Sequence, residues 1–330
     1  MHAYGVDEAQ IHSVTDNLIW CDLVGRRNHG VERLPILMQR VRKGVINCPC
    51  ELKFEQLTEP MARLDGDNGF GHHVSAAAID RAVELAREHG VGIVGVRGSN
   101  FFGAGAYYVN RAAERGMISL ALSNSFPKVA AIGGFKTALG TNPFAFGAPR
   151  RDGRALMVDM STAALAGSTI RELIKSGGDL PAGSAIDADG QTIIDPAKVS
   201  QGTLLPAAGP KGFGLAIMVE MLSSVLTGAG MSHQLGSMYN NLEEGGHNGQ
   251  FFMAIDVKRW MSEDEYYGRF ETLAAMILAS GPDGKVRLPG DSRWACYNDN
   301  IVNGIVLEPA TRKAIEILAR ECELAVPWQI

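Results

Sequence analysis

Residues 204–230 read LLPAAGPKGFGLAIMVEMLSSVLTGAG: a Pro/Gly-rich loop carrying one lysine, Lys211, that runs into a long apolar helix. Gly209, Gly212 and Gly214 have no side chains, so the backbone there can bend sharply and approach another molecule closely. The helix start presents unpaired amides and the positive end of its dipole to the loop. A lysine beside such a start is a seat for an anion, a phosphate or a carboxylate. An ordinary turn with a solvated lysine fits the loop equally well, so the other Gly- and Pro-rich segments decide.

The rest of the chain alternates helix and strand. Ile11, Val14 and Leu18 share one face over 7–24, with Asp7 as the cap and Gly25 as the stop. A second helix is expected from Pro35 to Gly44, and a third over 72–89, closed by Gly90. Strands are expected at 91–97, 117–123, 143–148, 155–160 and 251–256, and further helices over 104–115, 213–227, 262–280 and 309–325. The pattern is mixed α/β with helical material at both ends. Gly90-Val-Gly92-Ile-Val-Gly95 has the G-x-G-x-x-G spacing of a dinucleotide turn. It leaves a helix and enters a strand, the reverse of what phosphate binding requires, so it is set aside.

Composition fits one soluble enzyme. The 330 residues are 46% hydrophobic and 20% charged, with net charge −5. No basic stripe suggests nucleic acid, and no apolar run has the length of a membrane span. The N-terminus lacks a secretory pattern. Five scattered cysteines, including Cys48-Pro-Cys50, do not make a zinc site. A cytoplasmic protein with reduced thiols and no metal is expected.

Three other segments carry possible chemistry. Asn28-His29-Gly-Val-Glu-Arg33-Leu-Pro35 offers an imidazole for proton exchange and an arginine for a carboxylate, though a His–Arg pair in a loop is more often plain surface. Gly140–Pro149 (GTNPFAFGAP) is a turn feeding a strand and needs no function to explain it. Val158–Thr162 (VDMST) puts polar groups at a strand end, where α/β proteins place ligands; Asp159 could equally be a helix cap.

In order, NHGVERLP, GSNFFGAGAYY, GTNPFAFGAP, VDMST, LLPAAGPKGFG and VRLPGD resemble the malate/L-lactate dehydrogenase-like family of NAD(P)-dependent oxidoreductases. That family includes ureidoglycolate and sulfolactate dehydrogenases and cyclic imine carboxylate reductases. The likeness spans about residues 5–310, and 204–250 looks nearest to ureidoglycolate dehydrogenases. It implies a mixed-sheet, non-Rossmann fold with a helical domain built from the chain ends: 1–64 helical, 65–285 a cofactor-binding core, and 286–330 returning to the helical part. It also implies a homodimer, for which Ile11, Val14 and Leu18 are the expected contact face. The implied substrate is a small 2-oxo or 2-hydroxy acid, or a cyclic imine carboxylate, with NAD or NADP as cofactor.

By resemblance, His29 is the proton donor or acceptor, and Asn28, Arg33 and Phe101 surround the substrate. Ser125, Asp159, Met160, Ser161, Lys211, Gly212, Gly290 and Asp291 fall at cofactor positions. Two departures stand out. Asn28 replaces the family's serine, and Asn100-Phe101-Phe102-Gly103 carries phenylalanine where relatives have a histidine. Phenylalanine cannot move a proton, so His29 would act alone or with water. An apolar Phe101 suits a ring or alkyl substrate, and a homologue without activity is a further reading. His72 and His73 precede a helix and could lie near the site, though a satisfied structural histidine is the commoner case for each.

Overall fold

The computed structural model describes every residue from 1 to 330 except 240, 283, 327, 329 and 330. Asp7 caps α1 (Glu8–Leu23) by accepting the Gln10 N–H at 3.0 Å, an N-terminal amide the helix cannot satisfy internally. Then come α2 (Leu34–Arg42), β1 (Lys53–Thr58), β2 (Met61–Asp65), α3 (Gly71–His89), β3 (Val91–Ser99), α4 (Gly105–Ala113) and β4 (Met117–Ser123). The middle of the chain holds β5 (Val129–Ala130), β6 (Thr137–Leu139), β7 (Phe144–Pro149), β8 (Ala155–Met160), α5 (Gly167–Ser176), β9 (Ala185–Ile186) and β10 (Thr203–Leu204). It closes with α6 (Pro210–Glu220), β11 (Asn248–Asp256), α7 (Glu263–Leu278), α8 (Asp291–Asn303) and α9 (Pro309–Glu321).

Two sheets form. The larger runs β1-β2-β3-β11-β4-β7-β8, and the smaller runs β6-β5-β10-β9. In the larger sheet only β2 and β3 pair in parallel; the other neighbours are antiparallel. A dinucleotide-binding Rossmann sheet is mostly parallel, so this is a different architecture, as expected. Residues 53–65 belong to the larger sheet, so a boundary at residue 64 falls inside β2. Gly92 of the discarded glycine motif is a packing residue: a Cβ there would run into the Ala82 carbonyl of α3.

The main core lies where α3 and α4 cover the sheet, around Ile79, Tyr108, Val94 and Phe252. A second core joins Val14, Leu18, Leu37, Met38 and Phe70, with Ile11 and Leu318 packed against it. There α1 meets α8 and α2 meets α9, so both chain ends build the helical part. This corrects the expected dimer face. Val14 and Leu18 are buried in the chain's own core and Ile11 packs on it, so they are not available to a second copy. The apolar side chains left exposed lie elsewhere, among them Ile217 and Met218 on α6 and Met221 just beyond it. No helix among the described residues is long and apolar enough to cross a membrane.

Candidate active site

A cleft of about 450 Å³ opens between the helical part and the ends of the large sheet. Asn28, His29, Arg33 and Phe101 line it, as do Ser125, Asp159, Met160 and Ser161. The two sequence segments 28–33 and 98–103 are brought together by α1 and α3. The Asp22 carboxylate, at the end of α1, accepts the Val31 N–H at 2.8 Å. A Cβ at Gly30 would run into that carboxylate, and one at Gly71 into the Phe101 carbonyl. Both glycines therefore set how closely the two loops approach.

His29 is partly exposed, and its ring lies flat on Phe101, 5.7 Å between centroids and 2° from parallel. Its Nδ1 is enclosed without a hydrogen-bond partner, which leaves Nε2 as the nitrogen open to the cleft. Burial pushes its pKa down to about 4; Asp159 opposes this and Arg33, Arg26 and Arg293 add to it. At neutral pH the free ring is thus an uncharged proton acceptor. Arg33 is 8% exposed. Its Nε donates to the Asn28 carbonyl at 2.7 Å, and one terminal nitrogen pairs with Glu32 at 2.9 Å. Asn28 therefore acts on the arginine through its backbone.

Asp159, at the end of β8, pairs with Arg293 of α8 at 3.1 Å, with side-chain exposures of 14% and 7%. Ser161 donates to the Thr141 carbonyl at 3.1 Å, and Ser125 and Thr141 share a hydroxyl contact at 3.2 Å. Met160 is 44% exposed and offers a flat apolar surface beside these hydroxyls.

Four expected residues are not part of the cleft wall. Lys211 is exposed in the first turn of α6, and Gly212 donates its N–H to the Ala207 carbonyl at 2.9 Å. Their loop is nonetheless tied to the cleft, because the Ala207 N–H donates to the Thr162 carbonyl and Ala163 bridges Pro206. Gly290 starts α8 with φ +99°, and a Cβ there would press on Met157. Asp291 pairs with Arg150 at 2.7 Å and accepts the Leu288 N–H at 2.9 Å.

A nicotinamide nucleotide fits what is present. Lys211 has no carboxylate partner among the described residues, and α6 begins without a side-chain cap. A lysine and uncapped amides at one helix start are the chemistry a phosphate takes.

Sequence reading missed other residues of the cleft. Arg40 of α2 is 2% exposed, donates to the carbonyls of Asn241 and Glu244 and to Asn100 Oδ1, and so fastens the 241–246 loop at the cleft. Lys128, Arg171 and Tyr239 form one wall. The two neighbouring histidines also separate: His73 bonds to Ser13 at 3.0 Å, whereas His72 is fully buried, edge-on to Phe101 at 5.5 Å, with neither ring nitrogen partnered. Burial, then proximity to His29, pushes the His72 pKa down to about 3.

These shifts bear on stability. Both rings bind protons less readily folded than unfolded. Between about pH 6.5 and 4 the unfolded chain therefore takes up protons that the folded one refuses, and stability falls as pH drops. Asp22 works the other way, since burial raises its carboxyl to about 6 and the folded state holds a proton that the unfolded state releases. His72→Leu removes one imidazole that makes no hydrogen bond. The variant is expected to be at least as stable as the parent at pH 7, and to show a smaller fall in Tm between pH 6.5 and 4. An unchanged Tm–pH slope would show that His72 is not the titrating group.

The family model described as malate/L-lactate dehydrogenase matches residues 1–316. The L-sulfolactate dehydrogenase of Methanothermobacter thermautotrophicus is 34% identical over 322 residues, 98% of this chain and 93% of that protein. The NAD(+) ureidoglycolate dehydrogenase of Escherichia coli is 33% identical, over 91% of this chain and 86% of its own length. The NADP(+) (2R)-3-sulfolactate dehydrogenase of Chromohalobacter salexigens is 32% identical over 89% and 87%. Among solved structures, the sulfolactate dehydrogenase from Methanocaldococcus jannaschii superposes with a TM-score of 0.91 at 31% identity, covering 98% of this chain and 93% of that one. The likeness to ureidoglycolate dehydrogenases is thus matched by that to sulfolactate dehydrogenases. The chain belongs to the malate/L-lactate dehydrogenase family of NAD(P)-dependent oxidoreductases.

Proposed function

We propose that the protein interconverts a small 2-oxo acid and its 2-hydroxy acid, with Arg33 holding the C1 carboxylate and His29 exchanging the proton at the C2 oxygen. The observation that carries this is the shared wall: a guanidinium and an open imidazole nitrogen, four residues apart, face one cleft and are braced from behind by Asn28, Glu32 and Phe101. When bound, the nicotinamide supplies or removes the hydride. Reduction then consumes one hydride and one proton and yields the hydroxyl; oxidation returns both. Ser125, Met160 and Ser161 are proposed to border the nicotinamide end, and Lys211 with the α6 amides to take a phosphate. Asp159 would act from behind, through Arg293 and its field on His29, and Gly212, Gly290 and Asp291 by shaping the backbone.

Phe101 is proposed to have a second role beside bordering the substrate. One face of its ring is stacked by His29, so beside lining the cleft it would also set the plane of the imidazole. Following NADH and NADPH oxidation across 2-oxo acids and cyclic imine carboxylates tests the reading. Turnover is expected on 2-oxo acids. Turnover on imines alone would replace the oxo-acid reading, and none with either cofactor would point to a binding protein.

A further inference from the structure

Two buried residues behind the hydroxyls of the cleft take no part in the proposed reaction. Asn142 is fully buried and adopts φ +32°, a left-handed backbone that side chains other than glycine rarely take. Its Nδ2 donates twice to α6, to the Ala216 carbonyl at 3.1 Å and to a Glu220 carboxylate oxygen at 2.7 Å. Its Oδ1 accepts the Ser125 N–H at 3.2 Å. A carbonyl can only accept and a backbone N–H can only donate, so these contacts fix which way the amide points. The Asn142 carbonyl accepts the Thr162 hydroxyl at 3.2 Å, and the Thr141 carbonyl accepts the hydroxyl of Ser161 at 3.1 Å. Residues 141–142 thus join Ser125, Thr141 and Ser161, all in the cleft wall, to one helix.

Glu220 is the last residue of α6 and is 7% exposed; its other oxygen accepts the Ser232 N–H at 3.1 Å. Both oxygens face neutral donors, and no cation pairs with the carboxylate among the described residues. Enclosing a carboxylate without a counter-charge costs stability. A neutral amide oxygen could accept from Asn142 as well, so holding the fold does not account for the charge. Directly after Glu220 the helix widens into a π-turn over Met221–Val225, a distortion frequent at functional sites. The start of α6 reaches the same place, because Gly212 donates to the Ala207 carbonyl and Ala207 to the Thr162 carbonyl, each at 2.9 Å.

We infer that Glu220, acting through Asn142, is a positioning residue for the Ser125–Thr141–Ser161 wall, and that its uncompensated negative charge makes the cleft favour the oxidised nicotinamide over the reduced one. The oxidised ring is positive and the reduced ring is neutral, so a fixed negative charge behind the wall attracts one form only. That charge lies two hydrogen bonds behind Ser125, enclosed where salt screens it little. The inference rests on the proposed placing of the nicotinamide end beside Ser125, Met160 and Ser161.

The test measures Kd for the oxidised and the reduced cofactor by calorimetry, with NAD or NADP according to which the parent binds more tightly, in the parent, Glu220→Gln, Glu220→Asp and Asn142→Gly proteins. Glu220→Gln removes the charge and keeps the shape. Affinity for the oxidised form should fall about 3–10-fold, the scale of one charge acting through protein at this remove, while the reduced form changes by less than about 2-fold. Glu220→Asp keeps the charge but shortens its reach, so both forms should weaken together at the parent's ratio. Asn142→Gly suits the left-handed backbone and leaves the carboxylate in place. Ser125 then loses its anchor, and both forms should again weaken at the parent's ratio. Equal losses of the two forms in Glu220→Gln, or no loss of either, would overturn the inference. If Glu220→Gln does not fold, the other two variants decide: a ratio that moves while the charge is kept overturns it, and weaker binding at the parent's ratio upholds it. Turnover of 2-oxo acids by the parent, with an unchanged ratio in Glu220→Gln, would sink this inference and leave the hydride reading standing. A parent that binds neither form would sink both.

Discussion

His29→Gln should lower kcat by about 10²–10⁴-fold, the usual cost of losing a positioned acid or base, while cofactor affinity stays nearly unchanged. Hydride delivery to a carbonyl carbon leaves negative charge on its oxygen, and that charge must meet a proton as it forms. His29 is the imidazole with a nitrogen open to the cleft; His72 is sealed behind Phe101. The depressed pKa of about 4 also fixes a direction in pH. Oxidation needs the neutral ring, so its kcat/KM should be flat above pH 5 and fall below about 4. Reduction needs the protonated ring and should speed up as pH drops through the same range. Phe101→His should partly restore hydroxy-acid oxidation to a His29 variant, since it places an imidazole parallel to the original at the cleft wall. A His29→Gln enzyme with near-parental turnover would move the proton chemistry to a bound water.

Some of this was legible in the sequence and some was not, for physical reasons. Apolar strands such as β4 and β8 and capped helices such as α1 declare themselves through period and punctuation; 117–123 and 155–160 agree with the structure end to end. β1 does not, because KFEQLT is exposed at all six positions and has no buried face to impose alternation. β5, β9 and β10 are two residues long, held by the sheet around them more than by their own pattern. α8 was hidden because its start is a left-handed Gly290 with no side-chain cap. The site divides the same way. His29 and Arg33 sit in one loop at a spacing that can be read. Arg33 and Arg171, 138 residues apart, meet through Glu32, and no local spacing encodes that. Which of His72 and His73 is buried depends on the rotation of α3's first turn, and both patterns fit the sequence.

Asp159→Ala is expected to destabilise the fold by about 3–5 kcal/mol, the cost of breaking a buried ion pair on one side. The carboxylate has two tasks. It neutralises Arg293, whose Nη2 donates to both the Asp159 side chain at 3.1 Å and its backbone carbonyl at 3.3 Å, and whose Nη1 is buried without a partner. It also draws the His29 pKa upward against burial. Without it the guanidinium stays enclosed at 7% exposure with no counter-charge, while the bonds from Arg293 to the residue-159 carbonyl and from Trp294 to the Ala155 carbonyl still hold α8 to β8. The cost therefore comes from a stranded charge more than from a lost attraction. Asp159→Leu combined with Arg293→Met removes both charges and should regain most of the stability, because desolvation offsets much of what such a pair contributes. Urea unfolding of the three variants at pH 7 measures this. A loss under 1 kcal/mol in Asp159→Ala, or a double variant no more stable than the single, would show that the pair is open to solvent and that Asp159 belongs to ligand binding alone.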